Sequence, residues 1–207
     1  MDTWIIIGSG PNRQEWKHFY NLAPESKIFC MNGSLIEHKN PNAFICTDKR
    51  FIAEYAKRDF SKKTTVFFGF ESVALALGTD KINNMPVRNV GTWAIYLALK
   101  YFHAKEIHVF GIYGVEKQHW TTLSTVPGIH SDKAKFNADT KALSESPRIV
   151  KPAETVFNWN HETCRYNDNA AELIIYMRKK FPAEIVVHGG GPIADLIKNI
   201  EASNAKN

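Results

Sequence analysis

The chain has 207 residues and a formal charge of +5, from 26 Lys and Arg against 21 Asp and Glu. With 44% hydrophobic and 23% charged residues it reads as an ordinary globular protein, long enough to bury a full core, and nothing in the composition argues for disorder. No run approaches ~18 to 20 apolar residues without a charge, and the N-terminus enters an apolar strand at once rather than a basic and apolar leader. The expectation is one cytoplasmic domain over residues 1–207 with no membrane span, and the sequence says nothing of its oligomeric state. The basic bias suits anionic partners, such as nucleotides, nucleic acid or phosphorylated saccharides, without choosing among them. Lys62-Lys63 and Arg178-Lys179-Lys180 are too short for a nucleic-acid stripe and read as solvated faces.

In chain order, the first apolar run, Trp4 to Ile7, ends in Gly8-Ser9-Gly10-Pro11. Two glycines after a strand start the dinucleotide-binding fingerprint, but Arg13 stands where its third glycine belongs, and a charged side chain cannot replace a missing Cβ. The second run, Lys27 to Met31, ends in Asn32-Gly33, without the acid that would hold a ribose diol. The opening therefore reads as a tight strand-to-helix turn with exposed N–H groups, suited to a nucleotide or phosphate rather than to NAD or FAD, or as a turn and nothing more. Ala43 to Thr47, followed by Asp48, and Thr64 to Phe68 are the next two runs. A helix opens at Gly91-Thr92, with Arg88 just before it; a guanidinium beside a helix N-terminus makes an anion site, against the plainer reading of a surface ion pair.

Strand Glu106 to Phe110 follows and ends in Gly111-Ile112-Tyr113. From about 114 to 167 neither period is sustained, although aromatics and histidines recur; so long an irregular stretch in a compact domain reads as a lid or binding loop. A helix from about Asp168 to Phe181 and a last strand, Glu184 to His188, complete the pattern. Buried-type strands alternating with amphipathic helices define an α/β class with a mostly parallel sheet. Cys30 and Cys46 fall in core strands and, with Cys164, read as reduced thiols.

Ligands of open parallel sheets bind beyond the carboxyl ends of the strands. There Asn32, Thr47 and Asp48 can hydrogen-bond a base and ribose, and His161, before the last long helix, can take a proton from a hydroxyl or serve only to hold the structure. The chain has no phosphate-loop lysine motif, no nucleophile elbow, no Cys-x-x-Cys and no Asp-x-Asp. Asp48, Asp132 and Asp139 stand apart, and His119 with His130 lack further ligands, so no metal is expected.

The order and spacing of "IIIGSGPN", "FCMNGSL", "AFICTDKRFIAEY", "RNVGTWAIYLALKYFHAKEIHVFGI", "NHETCRYNDNAAEL" and "HGGGPIADL" resemble the bacterial lipooligosaccharide sialyltransferases and the motility-accessory-factor glycosyltransferases. The resemblance runs in order along most of the chain, the irregular segment aside. It implies a single Rossmann-like nucleotide-sugar domain and metal-independent, inverting transfer, with a nucleotide-sugar as co-substrate. By that likeness Gly8, Ser9, Gly10, Asn32 and Thr47 fall where the nucleotide is held, Arg88, Gly91 and Thr92 near the donor phosphate and sugar, and His161 within a residue or two of the catalytic base. Ser9 replaces a more usual asparagine and Tyr113 stands where aspartate is common, which argues against a sialic-acid donor. The family's C-terminal extension for membrane attachment and assembly has no counterpart here, which suggests a freely soluble enzyme or one with another acceptor.

The mechanism this implies has His161 as general base on an acceptor hydroxyl. Arg88, the helix N-terminus and a residue such as Tyr113, His119 or Tyr166 would stabilise the departing nucleotide. The acceptor stays open among saccharide, protein and modified DNA base. Two other classes compete: a pterin-type pyrophosphokinase using ATP and magnesium, for which only Asp48 offers a carboxylate, and a non-catalytic nucleotide- or DNA-binding module.

Overall fold

The computed structural model describes residues 2–8, 10–47, 52, 55–78, 90–112 and 159–205. Six strands form one sheet: β1 (Thr3–Ile7), β2 (Lys27–Met31), β3 (Ala43–Cys46), β4 (Thr65–Phe68), β5 (Glu106–Phe110) and β6 (Glu184–Val187). Every neighbouring pair is parallel and the spatial order is β4-β3-β2-β1-β5-β6. All six apolar runs of the sequence are strands, with bounds within a residue or so of those expected.

The sheet is covered on both faces, which is why its strands are apolar at nearly every position rather than at alternate ones. Along β1, Trp4 and Ile6 point to one face while Ile5 and Ile7 point to the other, and none of the four is more than 2% exposed. Burial of each such side chain is worth roughly 1.5–3 kcal/mol, so β1 anchors two cores at once. The first core takes Phe29, Met31, Ile45, Ile107 and Val109 from the sheet and packs them under helices. These are α2 (Gly69–Leu77), α3 (Val90–Lys100), α4 (Trp159–Lys180) and α5 (Pro192–Asn204). The second core joins Ile28, Cys30, Phe44, Cys46 and Phe110 to Trp16, Leu35 and Tyr55. On that side lie α1 (Trp16–Leu22) and two 3₁₀ segments, Pro11–Glu15 and Asn32–Ile36. Cys30 and Cys46 are buried thiols, and burial pushes the Cys30 thiol up to about 12.

One boundary moves. Helix α4 begins at Trp159 instead of about Asp168, so residues 159–167, assigned by sequence to the irregular segment, are helical. A sequence pattern registers a helix where one face is buried. Ala170, Ala171, Ile174, Ile175 and Met177 supply that face, whereas the residues before them carry no apolar stripe. The rest of the expected lid, from 114 to 158, lies outside the described residues, as do Asp132, Asp139, His119 and His130.

Candidate functional site at the carboxyl rim

The strand order reverses direction between β1 and β5. From β1 the chain builds outward through β2, β3 and β4, then returns to place β5 and β6 on the other side. At such a switch point the connections leave toward opposite faces, and ligands bind in the crevice beyond the carboxyl ends. Three glycine-bearing turns meet there: Gly8 and Gly10 after β1, Gly111 after β5, and Gly189-Gly190-Gly191 after β6.

The turns are joined through backbone atoms. Gly8 N–H donates to the Phe110 carbonyl at 2.7 Å, and Gly10 N–H donates to the Gly111 carbonyl at 2.9 Å. The exposed N–H groups expected from the sequence are therefore committed at Gly8 and Gly10, both of which are buried. A Cβ on Gly8 would run into the Gly111 carbonyl, and one on Gly111 (φ 72°) would sit 2.9 Å from the Arg13 Cβ. The close packing that a third glycine gives a dinucleotide fold is thus supplied from the end of β5, which is what admits Arg13. The Arg13 side chain is 3% exposed and its Nε donates to Glu37 Oε1 at 2.9 Å; Lys17 Nζ reaches the other Glu37 oxygen at 3.1 Å. Burial pushes the Glu37 carboxyl up, but the hydrogen bonds and charges of Lys17 and Arg13 outweigh it and hold the group below its ordinary 4.5. Glu37, a carboxylate soon after β2, is already neutralised by two cations.

Asn32 stands immediately after β2 in the left-handed region (φ 47°), and its buried Oδ1 has no hydrogen-bond partner among the described residues. Thr47, half-buried, follows β3 one register step beyond Asn32, as Asn32 is one step beyond Gly8. Neighbouring strands are about 4.8 Å apart, so Gly8, Asn32 and Thr47 step along the carboxyl rim on three adjacent strands. Gly91 and Thr92 are buried in the first turn of α3. That turn faces the same edge: α3 ends at Lys100, and Lys105 N–H donates to the Asp2 carbonyl at the amino end of β1. Helix α4 is about 33 Å long against strands of about 15 Å, and its carboxyl end leads into β6. Its third residue, His161, lies about 14 Å along the axis from Ala170, on the rim side. Ser9, Asp48, Arg88 and Tyr113 lie outside the described residues. Of the residues singled out from sequence, the fold brings Gly8, Gly10, Asn32, Thr47, Gly91 and Thr92 to one edge of the sheet.

Three further residues carried no role in the sequence reading. Asn12 Nδ2 donates to the His188 carbonyl at 2.7 Å and ties the first turn to the last. The His188 ring lies parallel to Phe110, with centroids 4.3 Å apart and 4° between planes, and its Nε2 is 2.7 Å from His108 Nδ1. A signal for His108 was present: in Glu106-Ile-His108-Val-Phe110 the strand period puts the three on one face. Among the described residues no three His, Cys, Asp or Glu side chains come together as a metal-ligand set. Comparison with protein-family models, curated proteins and solved structures gives no match, so the likeness in motif order stands as a resemblance.

Proposed function

We propose that the chain is a nucleotide-sugar-dependent glycosyltransferase that moves a sugar to an acceptor hydroxyl with inversion and without a metal. The observation that carries the reading is the row at the switch point. Asn32 holds a buried amide oxygen with no partner among the described residues, and Thr47 ends the neighbouring strand, at the edge toward which the first turn of α3 is directed. A nucleotide base and ribose offer donors and acceptors to an amide and a hydroxyl fixed in this way. The neutralised Glu37 favours a mononucleotide donor over a dinucleotide, whose ribose diol asks for a carboxylate that is not already paired.

In this reading Gly8, Ser9 and Gly10 wall the nucleotide, Asn32, Thr47 and Asp48 hold base and ribose, and Gly91, Thr92 and Arg88 meet the phosphate. Tyr113 supplies a hydroxyl to the leaving phosphate. His161 takes the proton from the acceptor while the nucleotide departs with the bonding electrons. Each preorganised donor at the leaving phosphate is worth roughly 3 kcal/mol in the barrier. The acceptor is a saccharide, a protein or a modified DNA base.

The test is thermal denaturation with nucleoside mono- and diphosphates, dinucleotides and ATP, with and without magnesium. The expected result is stabilisation by mono- or diphosphates regardless of magnesium, about 2.7 kcal/mol at a hundredfold excess over Kd. In a transfer assay with the stabilising donor, His161→Ala lowers turnover ~100-fold or more and leaves nucleotide stabilisation in place. Stabilisation by NAD or FAD alone, or by ATP with magnesium alone, overturns the proposal.

A further inference from the structure

On the α1 face of the sheet, four side chains form a continuous hydrogen-bonded row. Thr3 Oγ1 donates to Glu106 Oε2 at 2.7 Å, Glu106 Oε1 is 3.0 Å from His108 Nε2, and His108 Nδ1 is 2.7 Å from His188 Nε2. The chemistry fixes where the protons sit. A carboxylate only accepts, so His108 donates from Nε2; in its neutral form its Nδ1 holds a lone pair, and His188 then donates from Nε2. The lone pair left over is on His188 Nδ1, which has no partner among the described residues and is not among the buried unsatisfied atoms. The hydroxyl of Thr3, followed by the hydrogen bond from His108, keeps the Glu106 carboxyl below its ordinary 4.5, as an acceptor-only end requires.

Packing holds the row in register. Phe110 lies flat against His188, and Phe19 of α1 lies 3.8 Å from His108, centroid to centroid. His108 is 7% exposed and His188 is half-buried at the carboxyl rim, where Asn12 grips its carbonyl.

We propose that Glu106, His108 and His188 form a proton relay whose outer atom, His188 Nδ1, accepts the proton of a hydroxyl-bearing ligand at the β5–β6 end of the rim. The hydroxyl it serves is that of water in donor hydrolysis, whereas His161 serves the acceptor in sugar transfer, and the proposal rests on the glycosyltransferase reading only for the electrophile that the hydroxyl then attacks. In the step the ligand O–H bond breaks and the Nδ1–H bond forms. The oxygen keeps the bonding pair and attacks the anomeric carbon, whose bond to the nucleotide phosphate breaks with its electrons leaving on the nucleotide, and the positive charge on His188 is stabilised through His108 by the Glu106 carboxylate. The proton leaves to solvent afterwards. His188 is the catalytic residue here; His108 and Glu106 are positioning residues. Burial lowers the His188 ring below its ordinary 6.5, and the charge His108 would carry when protonated lowers it further, so His188 is a neutral base at pH 7. The elements packed against His188 bring Phe110, Phe19 and Asn12, and among the described residues His108, backed by Glu106, is the ionisable group acting on it.

The first test needs no variant. Long-range ¹⁵N–¹H spectra of the full ¹⁵N-labelled chain, from pH 5 to 9, report the tautomer of each ring. Both His108 and His188 are expected as Nε2–H, and a His188 ring protonated at Nδ1 near pH 8 overturns the proposal. The second test is carbethoxylation by diethyl pyrocarbonate, mapped by peptide mass spectrometry at pH 7. His188 is expected among the fastest-reacting of the eight histidines. Glu106→Gln is expected to lower the His188 ring pKa by about one unit and slow its modification several-fold. An unchanged rate and titration in a folded Glu106→Gln protein overturns the relay. The third readout is nucleotide release from UDP-glucose, GDP-mannose and CMP-sialic acid, with water as the acceptor. With any donor that turns over, His188→Gln should lower kcat ~100-fold with little change in donor KM, and an unchanged kcat rejects the catalytic role. Should no nucleotide bind, the glycosyltransferase reading fails while the ring tautomers and reactivity still decide the relay.

Discussion

Asn32 concentrates the conflict between backbone comfort and chemistry in a single residue. A non-glycine residue in the left-handed region is uncommon, and asparagine is among those that tolerate it. Replacement by glycine keeps the turn and removes the amide, whereas alanine removes the amide and strains the backbone. Asn32→Gly should therefore leave stability within about 0.5 kcal/mol and abolish nucleotide stabilisation, while Asn32→Ala should also lose roughly 1–2 kcal/mol. Urea denaturation beside the nucleotide thermal shift separates the two effects, and a full nucleotide response in Asn32→Gly removes the residue from the site. Gly111 is the opposite case, a position where the fold alone sets the requirement. Its φ of 72° and the crowding by the Gly8 carbonyl at 2.8 Å and Arg13 Cβ at 2.9 Å leave no room for a side chain. Gly111→Ala should cost about 1–3 kcal/mol or more in chemical denaturation, and a neutral effect would mean the two turns are not interlocked in solution.

The connection between β1 and α1 depends on the second 3₁₀ segment as much as on its own residues. Ser34 Oγ donates to the Ile7 carbonyl and accepts from Met31 N–H, and immediately after the segment Arg13 and Lys17 close on Glu37. Removing one partner of a buried ion pair leaves the other unpaired at a cost of about 3 kcal/mol. Glu37→Gln should lose that amount at pH 7. Because the folded Glu37 carboxyl titrates below its ordinary 4.5, its contribution is complete above that value and disappears as pH falls through the folded one. Wild type and Glu37→Gln should thus differ by a constant amount at pH values above the ordinary 4.5 and converge only as pH falls through the lower folded value of Glu37. Denaturation curves across that range check it; a gap that persists in acid would assign the loss to packing rather than charge.

At the scale of the whole molecule, two cores share a single sheet. Trp4 and Ile6 sit in one core and Ile5 and Ile7 in the other, so neither core can be lost while β1 keeps its partners on both sides. Unfolding in urea should follow one transition, with tryptophan fluorescence and far-ultraviolet circular dichroism giving the same midpoint. Separate midpoints would show that the two faces melt independently. No helix of the described residues is long and apolar enough to cross a membrane.

The sequence by itself determined the class and the strands. A fully buried parallel strand must be apolar on both faces, and that leaves short continuous runs such as Ile5-Ile6-Ile7 that can be read without coordinates. It also placed Gly8, Asn32 and Thr47 at strand ends, since a strand's last residue fixes where the chain turns. Only the tertiary structure decided which strands are neighbours, because parallel pairing is settled by crossovers distant in sequence. Glu106 and His188 are 82 residues apart by their numbers, and no local period could have joined them through His108. The same holds for the N–H groups of Gly8 and Gly10, which look open in the sequence and are engaged by β5 in the fold. Hydrogen bonds across a sheet depend on the register of partners, and register is a property of the assembled sheet rather than of any one segment.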